Sequence, residues 1–318
     1  NRIENFIKHS RNTDIQITLF NKWVHKITDY DVLHIFKVNI ESYQLMLHAK
    51  NLDIPIVISS VVPLEHKYKI LINRFLNKLT PFHTSYYFIE QMLSNADAVI
   101  AQTILEANFI EKWYKVDKNK IHIIPNGVSV AEEKNEQIFD KIGLDKPYIL
   151  QVGRFDENKN QLNVIKAMAK TDVPVVFIGG PDSKSQDYYD KCKKYATKNM
   201  FFLGWLTYDD ILLKSAYCNA KVVVLPSHKE IFGNSLIEGG AYGANLVSTN
   251  ELPIKEWGIN DICSTIDSND INDINKKLIQ AYNQSLNPNT SLLIKGKFSW
   301  DAVISEYVSI YDRIKKND

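Results

Sequence analysis

Glu230 and Glu238 stand eight positions apart around a Phe232-Gly233-Asn234-Ser235 turn. Carboxylates accept hydrogen bonds from sugar hydroxyls, and two of them around a short turn can grip two hydroxyl-rich groups. Earlier in the chain, Arg154 and Lys159 follow the apolar run Tyr148–Gly153. A guanidinium and an ammonium placed there neutralise phosphate. Gly233, Asn234 and Ser235 open a helical pattern, and N–H groups at a helix start cradle an anion. Together these residues suit a nucleoside diphosphate that carries a hydroxyl-rich group. Each has a plainer use. Ser235 and Glu238 have the spacing of a capping box, an Arg and a Lys after a strand are commonly solvated, and glycine turns often only turn. Convergence on one edge of one expected sheet favours a site.

That edge requires strands to build it. Short β-branched runs recur at Ile15–Phe20, Val32–Phe36, Ile54–Ser59, Asp97–Gln102, Ile121–Pro125, Tyr148–Gly153, Val173–Gly180, Asn199–Gly204, Ala220–Pro226 and Asn245–Thr249. Near-continuous Val/Ile/Leu runs are what strands buried on both faces look like. Helical patterns between them imply βαβ units and parallel sheets. Ten strands exceed one open sheet of ordinary width, so an α/β chain of two Rossmann-like, doubly wound domains is expected. The seam falls within residues 126–147, where Gly, Pro and charge replace apolar periodicity. Ligands of such sheets sit beyond the carboxyl ends of the strands. Three runs end there in Arg154 and Lys159, in a Gly179-Gly180 turn, and in the Glu230 stretch.

Composition bounds the rest. At 318 residues the chain has room for two cores. Its net charge of +1 gives no reason to expect a nucleic-acid partner. Cys192, Cys218 and Cys263 are scattered outside any CxxC spacing, which fits a reducing compartment and neither a disulfide framework nor a zinc site. No apolar run approaches the roughly 18 residues of a membrane span, and a cytoplasmic setting is expected.

From residue 95 onward the chain resembles the retaining glycosyltransferase family four, whose fold is the GT-B architecture. The carriers are Val152, Gly153, Arg154, Phe155 and Lys159; then Pro226, Ser227, Glu230, Phe232, Gly233 and Glu238; then Ile124 to Val128 and Phe298 to Trp300. The resemblance implies two Rossmann-like domains with a cleft between them. These would be an acceptor-side domain (1–130), a nucleotide-sugar donor domain (131–300) and a terminal helix (301–318) packing back towards the first. It implies that Gly153, Arg154 and Lys159 bind the donor diphosphate with Phe232, Gly233, Asn234 and Ser235. Glu238 would accept from the ribose, Glu230 would lie against the transferred sugar, and Gly204, Trp205 and Leu206 would border the base. Trp205 is equally readable as a core aromatic. The implied activity is sugar transfer to a glycan or lipid-linked acceptor in cell-envelope polysaccharide assembly, with no cofactor beyond the donor.

Departures from the family pattern are specific. Val61 stands where many members carry a catalytic-site His. His34 lies inside a strand pattern and is a candidate catalytic residue or a core one, and His66 and His83 have no motif. Asn160 replaces the usual Gly after the Lys, and Glu238–Val247 replaces the commoner Ala-rich helix. Asp29-Tyr30-Asp31 has the form of a metal-binding Asp-x-Asp, but its apolar strand follows rather than precedes it, so a turn is expected and no metal. The Gly-x-Gly-x-x-Gly of a dehydrogenase is missing; a non-catalytic nucleotide-sugar-binding protein is the remaining alternative. Residues 65–83 read as a basic amphipathic helix, with Ile70, Leu71, Arg74, Phe75 and Lys78 either forming a solvated surface helix with a core-facing stripe or suited to peripheral membrane contact. Finally, the first domain lacks the opening strand and glycine-rich turn of the family, which are expected upstream of Asn1.

Overall fold

The computed structural model describes residues 2–11, 13–59, 62, 67–79, 84–129, 136–144 and 146–315. They form two compact units, one of residues 1–127 with 300–318, the other of residues 128–299.

The first unit holds a parallel sheet of Leu33–Ile35 (β1), Ile56–Ser59 (β2), Ala98–Ala101 (β3) and Ile121–Ile123 (β4), lying side by side in chain order. Its helices are Arg2–Ser10 (α1), Ile40–Lys50 (α2), Lys67–Leu79 (α3), Ser85–Asn95 (α4) and Ile104–Phe109 (α5), with Trp300–Lys315 at the chain's end. Strand residues alternate between two cores, as a doubly covered parallel sheet requires. Ile56, Ile58 and Val99 face Met46, Met92 and Tyr114. Val57, Ala98 and Ile100 face Phe6, Val303 and Tyr307 of α1 and the terminal helix.

The second unit holds Tyr148–Val152 (β5), Val175–Ile178 (β6), Met200–Phe202 (β7), Ala220–Leu225 (β8), Asn245–Thr249 (β9) and Cys263–Ile266 (β10), all parallel. Its helices are Gln137–Ile142 (α6), Gln161–Met168 (α7), Gln186–Tyr195 (α8), Ile211–Asn219 (α9), Asn234–Ala241 (α10), Ile271–Asn283 (α11) and Thr290–Phe298 (α12). The strand order β10-β9-β8-β5-β6-β7 reverses between β5 and β8. This is the switch point of a doubly wound sheet, where the connections diverge to either side and leave a crevice.

Two expectations are corrected. Ile15–Phe20 joins neither sheet: Ile15 and Ile17 pack on the Phe6 cluster while Gln16 and Thr18 face water, so the alternation reports an extended strap. Conversely β10 is a strand with little apolar signal, because Ser264 and Thr265 occupy the middle of an edge strand.

Candidate functional site

β5 delivers Arg154 and Lys159 beyond its carboxyl end, and β8, its neighbour at the switch point, delivers Glu230. Lys159 Nζ meets Glu230 Oε2 at 2.5 Å, and Ser227 Oγ donates to the same oxygen at 3.2 Å. Arg154 is half-exposed and lies 2.6 Å from Asp156 and 3.5 Å from Asp182. The Ser185 hydroxyl, the Lys184 N–H and Arg154 hold the Asp182 carboxyl below its usual range. A diphosphate arriving here would compete with these carboxylates for both cations.

The β6 and β7 exits close against the same edge. Gly179 N–H donates to Gly204 O at 2.7 Å, and Phe155 N–H to Gly180 O at 2.9 Å. Gly179 has φ +126°, and a Cβ there would fall 2.0 Å from Gly153 O, so only glycine permits the approach. The Trp205 ring is 61% exposed and lies against Gly180, whose added Cβ would meet the indole nitrogen at 2.6 Å. Trp205 is therefore a surface platform at this edge rather than a core aromatic, whereas Leu206 packs on the core.

Several polar residues, of which the sequence motifs touch only Asn160, fix the two loops. Asp156 Oδ1 accepts from Lys159 N–H at 2.8 Å. Asn158 exchanges hydrogen bonds with Lys229 N–H and O at 3.0 Å each, and its own carbonyl accepts from His228 N–H at 2.8 Å. Asn160 adopts φ +58°, the conformation the missing glycine would take. Its buried amide then donates to Pro226 O at 3.2 Å and Ser268 O at 2.7 Å, tying the β5 loop to the β8 loop. Gln151 and Gln161 amides hold the carbonyls of Lys159 and Arg154, each at 2.8 Å. The only trace of these ties in the sequence is the run of amides among residues 151–161.

The turn into α10 departs from the capping box. The helix starts at Asn234 with Gly233 as N-cap at φ +74° and no side-chain cap. A Cβ on Gly233 would fall 2.5 Å from Leu225 and 2.9 Å from Leu252. Glu238 instead reaches α9, where its Oε2 accepts from the Tyr217 hydroxyl at 2.6 Å. Burial pushes the Glu238 carboxyl up to about 7, and the Tyr217 donation works against that rise. Phe232 is buried among Trp257 and Phe298, so its side chain anchors the turn within the core.

The remaining candidates fall elsewhere. His34 on β1 is in the first unit, with Nδ1 2.6 Å from Tyr311 Oη and Nε2 2.8 Å from Ser59 Oγ. Nδ1 thus ties β1 to the terminal helix and Nε2 ties it to β2, so both ring nitrogens have partners within the first unit. Asp29 ends a short 3-10 turn and Asp31 pairs with Lys315 at 2.9 Å. Val61, His66 and His83 lie outside the described residues. Among the described residues no group of three or more His, Cys, Asp or Glu side chains is placed to hold a metal ion, and no helix is long and apolar enough to cross a membrane.

Comparison with known proteins bears on the family and the fold. The family model for glycosyl transferases group 1 matches residues 133–299, and that for Glycosyltransferase Family 4 matches residues 5–132. An uncharacterized 41.2 kDa protein in the cps region of Klebsiella pneumoniae is 31% identical over 54% of this chain and 48% of its own length. The O-antigen chain mannosyltransferase C of Escherichia coli is 25% identical over 70% of this chain and 62% of its own. HepE of Anabaena, solved in complex with UDP and glucose, superposes with a TM-score of 0.71 at 14% identity, covering 89% of this chain and 78% of HepE. The chain spans about half the length of the curated relatives it matches first. With one model covering more than half of its residues and a second most of the remainder, the chain belongs to the glycosyl transferases group 1 family.

Proposed function

We propose that this protein is a retaining glycosyltransferase that moves a sugar from a nucleoside diphosphate sugar to a glycan or lipid-linked acceptor in cell-envelope polysaccharide assembly. One observation carries the reading: Lys159 and Glu230 meet at the switch point of the second sheet, so a cation fit for phosphate and a carboxylate fit for a sugar share one point. Arg154, Lys159 and the first N–H groups of α10 would balance the charge on the leaving diphosphate without a metal ion. Glu230 would hold the transferred sugar, Glu238 the ribose, and Trp205 the base.

We extend the proposal to a peripheral membrane contact through α3. Tyr68, Leu71, Ile72, Phe75, Leu76 and Leu79 are all exposed on it. The sequence predicts a mixed basic and apolar face, but Ile70 is buried, and Arg74 donates to Glu90 at 2.8 Å and to Trp113 O at 2.6 Å. The side chain of Lys78 and residues 65, 66 and 80–83 lie outside the described residues. What supports a lipid-facing role is therefore an apolar face, which buries into the headgroup boundary.

Glu230→Ala tests the central reading. Transfer should fall by about 100-fold or more, the scale for losing a charged group at the reacting centre. Nucleoside diphosphate binding should be retained or tightened, since Lys159 loses its competing carboxylate. Equal losses of transfer and binding would make Glu230 structural. A wild-type protein that binds donor yet neither transfers nor hydrolyses it would be a non-catalytic nucleotide-sugar-binding protein.

A further inference from the structure

Glu238 is an unusual ligand for ribose, because its own surroundings favour the protonated form. A neutral carboxylic acid is a poorer acceptor than a carboxylate. Burial raises its pKa to about 7, so near neutral pH its ionisation is in the balance. A single side-chain donor works against that: Tyr217 Oη, 2.6 Å from Oε2. Tyr217 is buried on α9, and its ring is held parallel to Tyr242 with a 2° interplanar angle. Its hydroxyl proton is firmly retained, because burial and the neighbouring Glu238 both push its pKa well above the ordinary value. Tyr208 and Tyr242 are the other titratable side chains acting on Tyr217, and burial holds the Tyr208 hydroxyl neutral too. Among the described residues no side-chain cation forms an ion pair with Glu238.

Resting on the donor-site reading above, we infer that Tyr217 is a positioning residue: its hydroxyl fixes Oε2 of Glu238 and favours the carboxylate form, leaving Oε1 to accept from the donor's ribose hydroxyls. The family motif supplies the Glu; the tyrosine 21 residues earlier, on a different helix, makes it a competent acceptor.

The sign of the pH effect follows. A Glu238 that must accept is competent only when ionised, so affinity for a ribose-bearing nucleotide rises with pH through about 7. Without the Tyr217 donor the carboxyl titrates higher, and the rise moves to higher pH. The probe is UDP or GDP, whichever the wild type binds more tightly, together with its 2′,3′-dideoxy counterpart, titrated calorimetrically from pH 5.5 to 8.5. The dideoxy nucleotide carries the same phosphates and so cancels their own titration. Tyr217→Phe should weaken the ribonucleotide about fivefold near pH 7 and shift its pH rise upward by about one unit. It should leave the dideoxy nucleotide unchanged. Glu238→Gln should abolish the rise in either background. Equal weakening of both nucleotides by Tyr217→Phe would reduce Tyr217 to a packing residue, and unchanged ribonucleotide binding would equally overturn the inference. A wild type that binds neither UDP nor GDP would instead sink the donor-site reading itself.

Discussion

Asn160 shows how one residue can serve two purposes. Its left-handed backbone is a conformation that asparagine tolerates better than most residues. Unlike glycine, it also brings an amide to Pro226 O and Ser268 O. Ser268 O has a second donor in Asn163, whereas among the described residues Pro226 O accepts from Asn160 alone. Asn160→Ala should therefore cost about 1–3 kcal/mol for the stranded carbonyl and about 1 kcal/mol more for the left-handed backbone. Asn160→Gly should cost only the first part. Urea denaturation of the two variants checks this, and equal losses would show that the backbone conformation is not under strain. At this scale Arg154, Lys159 and Glu230 were legible because charge after an apolar run is a local pattern. The ties at Asn158, Asn160 and Gln161 were not, because their acceptors are carbonyls chosen by the folded loops. The partners of His34, Tyr311 and Ser59, are illegible for the same reason: they are distant in sequence.

At the scale of elements, nine of the ten strand runs form strands, because parallel strands covered on both faces carry an unbroken apolar signature. The pattern fails where one side of that cover is missing. β10 is an edge strand and can be half polar, and the Ile15–Phe20 strap needs only one apolar side. The capping box fails because Gly233 at φ +74° takes the N-cap position and frees Glu238 for α9. Helix α3 carries the prediction that belongs here. The protein should float with liposomes of zwitterionic and anionic lipid. Phe75→Glu, on the exposed face, should release it with its unfolding transition unchanged, since Phe75 is outside the core. Flotation that survives this substitution would place the membrane contact elsewhere, and no flotation at all would remove it.

The whole chain leaves its first unit at Gly127 and re-enters it at Trp300. Two stretches legible only as family-like motifs, Ile124–Val128 and Phe298–Trp300, prove to be these crossings. Within the first unit the Trp300 ring fills the space a Gly127 Cβ would need, 2.3 Å away. Within the second, Val128 N–H donates to Phe298 O at 2.7 Å. The number of domains was legible because ten runs exceed one sheet. The course of the terminal helix follows from tertiary packing of Val303, Tyr307 and Tyr311, which helical periodicity alone does not direct to a partner. For the molecule as a whole, the central claim is a donor site charged by Arg154 and Lys159. Its most direct test is calorimetric titration of UDP and GDP into the wild type, Arg154→Ala and Lys159→Ala in excess chelator. The wild type should bind one of them without a metal ion, and each variant should bind it more weakly by about 1.5–3 kcal/mol, the worth of a charge-assisted contact, with unfolding temperature little changed. Binding in both variants equal to that of the wild type, or binding that vanishes with the chelator, would contradict the account.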